Sequence, residues 1–183
     1  MAEPLTKTAP QLPPVDRDAI SDPELLEVLE RSERLSTPKP AWFLTLGHSP
    51  EIAVGFDRFW DLTFRRGRIE HATKEMVRLT IVTMLGCNFC GSQRSALALE
   101  ELSPEELEAC SLPGFDHPDA RVRAALRFAR TIAHDVSPDV ETDWDPVYAE
   151  LREHYDDAEV AELLSFTTIA LGGVLVARTL DLD

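Results

Sequence analysis

The residues whose types and spacing could do chemistry are Cys87-Asn88-Phe89-Cys90. Two cysteines three positions apart lie on one face of a helical turn, so their sulfurs can meet. Amides at a helix N-terminus stabilise a thiolate and make it reactive. The pattern therefore suits dithiol redox chemistry. Zinc would need two further ligands. The remaining candidates, Cys110, His48, His71, His117, His134 and His154, form no second ligand pair, so no metal is expected. The competing reading packs both cysteines as small apolar side chains. Cys110, alone after a short helix, reads as a buried or idle thiol.

The elements around the pair read as helices. Asp22-Pro23-Glu24 combines a cap, a proline at the first helical position and an acidic first turn. Pro38 and Pro40 end that helix. Ser49-Pro50-Glu51 opens another, with Ile52, Phe56, Phe59, Trp60 and Phe64 on one side, and His71 to Leu85 forms the next. Gly86 interrupts, and a helix is predicted from Cys87–Cys90 through Leu99. Ser103-Pro104-Glu105-Glu106 fits a capping box. Helices follow over Asp119–His134 and Thr142–Tyr155, and a last one, capped by Asp157, runs to about Arg178. Its stretch Leu163–Leu175 is apolar nearly all round, which marks a central helix or a subunit interface. Alternating strand patterns are absent. The fold class is all-α, with residues 1–20, which carry Pro4, Pro10, Pro13 and Pro14, as a flexible arm and 21–183 as one domain.

The stretch from Glu75 to Cys90, Glu-Met-Val-Arg-Leu-Thr-Ile-Val-Thr-Met-Leu-Gly-Cys-Asn-Phe-Cys, resembles the carboxymuconolactone decarboxylase / alkylhydroperoxidase D-like family. Members commonly show a Glu, eleven intervening residues, Cys-x-x-Cys, three residues and a His. The lead-in from Leu46 to Ile52 and the segments beginning at Ala124 and Leu151 extend the resemblance over roughly residues 40 to 180. It implies an alkylhydroperoxidase D-like helical bundle and a homo-oligomer. In the peroxidase branch it implies that Cys90 attacks a hydroperoxide, Cys87 resolves the sulfenic acid as a disulfide, and Glu75 belongs to a proton relay acting through the His. The decarboxylase-like alternative is a lyase or isomerase acting on a small organic acid. A redox-sensing oligomer without turnover is a third.

At the family's His position this chain has Arg94. Imidazole exchanges a proton near neutral pH, and guanidinium does not. Three roles for Arg94 follow. It favours the Cys90 thiolate by charge, it pairs with Glu75 as a structural bridge, or it binds a substrate carboxylate. In the first role a proton donor is still needed, and His71, one turn before Glu75, is the candidate.

Composition narrows the partners. The 183 residues carry 33 Asp and Glu against 18 Lys and Arg, a formal charge of −15, which repels nucleic acid and anionic membranes. No apolar run reads as long enough to span a bilayer, and the N-terminus lacks a secretory pattern. Three cysteines, two of them paired in spacing, point to a reducing compartment, the cytoplasm. No Gly-rich phosphate loop calls for a nucleotide or flavin, so no cofactor beyond the dithiol is expected. The expected partners are a small peroxide or organic acid and an unidentified thiol reductant.

Overall fold

A computed structural model describes residues 12–112, 114–136 and 141–182. The described residues form helices and connecting turns, with no strand among them, as the all-α reading expects. The helices are α1 (Pro23–Leu35), α2 (Pro40–Leu46), α3 (Pro50–Trp60), α4 (His71–Met84), α5 (Asn88–Gly91), α6 (Pro104–Ala109), α7 (Ala120–Asp135), α8 (Asp145–His154) and α9 (Asp157–Thr179). Many starts follow from local capping. The Asp22 carboxylate accepts from Leu25 N, and Asp119 accepts from Arg121 N and Val122 N. Ser103 with Glu106, and Asp156 with Glu159, close capping boxes. Pro40 opens a helix instead of only ending one, because a proline in the first turn gives up no intrahelical hydrogen bond. Of the segment 1–20, residues 1–11 lie outside the described residues. Residues 12–20 include a 3₁₀ turn, Arg17–Ala19, and Val15 N donates to Leu44 O at 3.0 Å.

The central helix is α4, not α9. Every residue from Ala72 to Val82 is buried, three of them charged. α4 packs against α7 and α9. The all-round apolar pattern of α9 makes it long and apolar enough to cross a membrane by length and composition, which corrects the sequence reading. Here it buries one face, Val160, Leu163, Phe166, Thr167, Ala170, Val174 and Ala177, and leaves Leu175 half exposed on another. The sequence misleads because burial of α4 depends on pairing its charges, while the apolar pattern of α9 does not by itself decide what covers it.

One of those charges fixes the approach to α4. Buried Lys74 donates to Arg66 O and to Glu162 Oε1, the latter at 2.8 Å. Glu162 also accepts Arg68 N at 2.6 Å and Ile69 N at 3.2 Å. Gly67, at φ +111°, lets the chain turn against this carboxylate, and a Cβ there would lie 2.3 Å from Glu162 Oε1. Gly67→Ala is expected to lower the unfolding free energy by about 1–3 kcal/mol, read as a shift in the urea midpoint without a change in slope.

Candidate active site

α4 ends at Met84, Gly86 takes a left-handed φ of +66°, and the chain turns into the cysteine pair. Cys87 caps α5, its sulfur accepting from Cys90 N at 3.2 Å. The two sulfurs are joined as a disulfide, with Cα atoms 5.4 Å apart. Cys87 is 2% exposed, while Cys90 is only partly buried.

The predicted helix through Leu99 does not form. α5 is a single turn, followed by irregular chain and a 3₁₀ turn at Ala98–Glu100. Side chains take the carbonyls that a continuing helix would have used. Phe89 O accepts from Ser92 Oγ and Gln93 Nε2, both at 3.0 Å. Arg78 Nη1 donates to Cys90 O at 2.8 Å, and Arg78 Nη2 to Gln93 O at 2.8 Å. Arg94 Nη1 donates to Gly91 O at 2.6 Å and to Gln93 O at 2.8 Å. With those acceptors satisfied, nothing favours propagation through Gly91 and Ser92, both poor helix formers.

Glu75 pairs with Arg78 rather than Arg94. Arg78 Nε and Nη2 grip its two oxygens at 2.7 and 2.8 Å, in a geometry where both side chains are almost fully buried. Ser95 N donates to the same carboxylate at 2.9 Å. The Glu75–Arg94 bridge considered from sequence is therefore absent. Besides the two carbonyls, Arg94 lies 3.8 Å from the exposed Glu108 carboxylate.

His71 reaches this network from its other side. Its Nδ1 donates to Phe64 O at 3.0 Å, and its Nε2 meets Ser95 Oγ at 2.7 Å. Ser95 thus touches His71 with its hydroxyl and Glu75 with its amide. Burial lowers the His71 pKa, against the opposing pulls of the Phe64 carbonyl and the Glu75 charge. Cys110 lies apart from the pair. Its thiol donates to Leu107 O at 2.9 Å, and burial pushes its pKa up to about 11. Among the described residues, no group of three His, Cys, Asp or Glu side chains could hold a metal ion together.

A cleft of about 400 Å³, counted to its open mouth, lies against Cys90. Arg78, Val82 and Phe89 line it, together with a wall that includes Thr37, Trp42, Phe56 and Trp60. Arg94 and His71 do not line it. Two site residues were absent from the sequence-based set. Arg78 carried a usable signal, a charge three residues after a glutamate on an apolar helix. Gln93, which accepts Lys39 N at 3.0 Å and so ties the dithiol turn to the α1–α2 link, carried none.

Residues 50–131 match the Carboxymuconolactone decarboxylase family. The fold matches an alkylhydroperoxidase AhpD core, an uncharacterized peroxidase-related protein from Ralstonia eutropha JMP134, at TM-score 0.74 and 21% identity over 97% of this chain and 93% of that one. Over residues 50–131 the chain is similar to that family, and its fold is AhpD-like. A peroxidase-related protein from Silicibacter sp. TM1040 matches at TM-score 0.71 and 18% identity, over 96% of this chain and 94% of the other. The debrominase Bmp8, in complex with 2,3,4-tribromopyrrole, matches at TM-score 0.76 and 20% identity, over 93% and 89%. At these identities the likeness is one of fold. No curated protein matches the sequence significantly. The match of residues 50–131 to the Carboxymuconolactone decarboxylase family supports an enzyme of that kind.

Two outcomes are expected from the buried network. Arg78→Met leaves Glu75 buried without its partner and lowers the unfolding free energy by about 3–5 kcal/mol. The double variant Glu75→Gln/Arg78→Met recovers part of that loss in the same urea titration. For His71, the unfolded chain takes up a proton near the ordinary 6.5 and the folded chain only at lower pH. Its contribution to stability is complete above 6.5 and is lost as pH falls through the lower folded value. His71→Gln is expected to flatten this acid-side loss in urea midpoints taken from about pH 7 down to about pH 5.

Proposed function

We propose that this protein is a thiol-dependent peroxidase in which Cys90 is the nucleophile and Cys87 the resolving thiol. The observation that carries the reading is the asymmetry of the pair. Cys90 is partly exposed and borders the cleft, whereas Cys87 is buried behind it and already within bonding reach. The cycle begins with the reduced dithiol. The Cys90 thiolate attacks the distal oxygen of a hydroperoxide, forming Cys90 sulfenic acid and releasing an alkoxide. Solvent returns to the alkoxide the proton that Cys90 gave up, and the product is an alcohol. Cys87 then displaces hydroxide from the sulfenic sulfur, and the disulfide and water are formed. An external dithiol supplies the two electrons and two protons that restore the pair.

Arg78 supplies the fixed positive charge of the site. It lines the cleft beside Cys90 and holds that residue's carbonyl at 2.8 Å, an arrangement that favours a thiolate. Arg94 acts on the backbone of the turn, as its bonds to Gly91 O and Gln93 O indicate. Glu75 is engaged on both oxygens, so a relay from it to Cys90 has no free end. His71 is the proton-exchanging group of the network, joined to Glu75 through Ser95. A lyase acting through Glu75 and Arg94 finds less support, because Glu75 is held by Arg78 and Ser95 N and Arg94 is committed to Gly91 O, Gln93 O and Glu108. The need for a thiol reductant suits the cytoplasm. The α9 surface around half-exposed Leu175 and Val176 suits contact with further copies of the chain.

Peroxide added to the reduced protein is expected to consume two thiols per chain in a thiol titration. Cys90→Ser abolishes the reaction, and Cys87→Ser stops it at a trappable sulfenic acid. Peroxide consumption unchanged in Cys90→Ser sinks the proposal. Light scattering on the purified protein is expected to give a mass above that of one chain, and Leu175→Glu to reduce it.

A further inference from the structure

Among the described residues, five buried side-chain polar atoms lack a hydrogen-bond partner. Three of them, Thr37 Oγ1, Trp42 Nε1 and Trp60 Nε1, belong to residues lining the cleft against Cys90. Each of the three residues is at least nine-tenths buried. A buried donor without an acceptor is costly, and three at one cleft call for a ligand that completes them. Indole N–H groups only donate, and a hydroxyl can donate. The missing partner is therefore an acceptor oxygen.

The rest of that wall is aromatic. The rings of Trp42 and Phe56 lie 5.2 Å apart, and Phe56 stacks on Trp60 at 6.0 Å with only 15° between planes. Ile169, on α9, adds an apolar edge. Ring faces of this kind prefer a flat apolar group offset against them. No carboxylate lines the cleft, and its one charged residue, Arg78, is paired with Glu75.

We propose that this cleft selects a benzylic hydroperoxide, an aromatic ring with the O–OH group on the carbon beside it. The assignment rests on the peroxidase reading for its reactive group and on the cleft alone for its ring and oxygen. The ring packs among Trp42, Phe56 and Trp60. The distal oxygen meets Cys90, and the proximal oxygen, which departs as alkoxide, accepts from the indole and Thr37 donors. Those donors stabilise the charge that grows as the O–O bond breaks.

The test separates binding from turnover. Cys90→Ser protein with ¹⁵N-labelled tryptophan is titrated with 2-phenyl-2-propanol, the product alcohol of cumene hydroperoxide, and with tert-butanol as the ringless control. The indole N–H resonance of Trp42 or Trp60 is expected to shift with the benzylic alcohol only. Trp144, which packs on Phe128 and Tyr148 away from the cleft, is expected to stay in place. No shift, or an equal shift of all three indoles, overturns the pocket. In the wild type, cumene hydroperoxide is expected to oxidise the dithiol at least about tenfold faster than tert-butyl hydroperoxide, and Trp42→Phe/Trp60→Phe, which removes the donors and keeps the ring faces, to slow both peroxides while leaving most of that ratio. Equal rates for the two peroxides in the wild type overturn the selectivity while leaving the peroxidase standing. Indole shifts without reduction of either peroxide support the pocket and sink the peroxidase reading.

Discussion

The buried ion pair between Glu75 and Arg78 is the constraint on which the site depends. Two charges at the middle of the most enclosed helix are tolerable only if their hydrogen-bonding capacity is met. They meet it partly through each other and partly through the backbone of the next segment. Arg78 reaches Cys90 O and Gln93 O, and Glu75 takes Ser95 N. The dithiol turn is thus suspended from α4 by polar atoms. A continuous helix would have held it by its own ladder and would have carried residue 94 onto the cysteine face. Here the turn unwinds after Gly91, and the guanidinium at 94 folds back onto carbonyls.

The same economy shapes the start of α4. Lys74 and Glu162 hold the bend at Gly67, which sets where His71 starts the helix. After α3 the chain makes one wide π-type turn, Asp61–Arg65, and this places Phe64 face to face with Phe166 at 5.1 Å and 4.5 Å from the His71 ring. The aromatic row running from Trp42 to Phe166 joins the cleft wall to the core, so the pocket and the hydrophobic interior share one packing unit.

Much of the framework was legible in the sequence. The caps at Asp22 and Ser103 marked real helix starts, and Glu75, Cys87 and Cys90, picked out by their spacing, are brought together by the fold through Arg78. What escaped was whatever depended on partners distant in sequence. The turn after Gly91 unwinds because Arg78 competes for its carbonyls from a different helix. α4 carries Lys74, Glu75 and Arg78 yet is the buried helix, because those charges find partners, Lys74 reaching Glu162 from 88 residues away. Trp42 and Trp60 are buried in the core and also line the cleft, a double position that only the packing of α2 against α3 reveals.

Cys110 has a consequence for electron accounting. It sits against Leu107 O with its thiol kept protonated far above neutral pH, and thiols in that form are poor attackers of a disulfide. The Cys87–Cys90 bond therefore has no rival within its own chain. Any thiol exchange at that bond needs a thiol from another molecule, one that can approach the partly exposed Cys90.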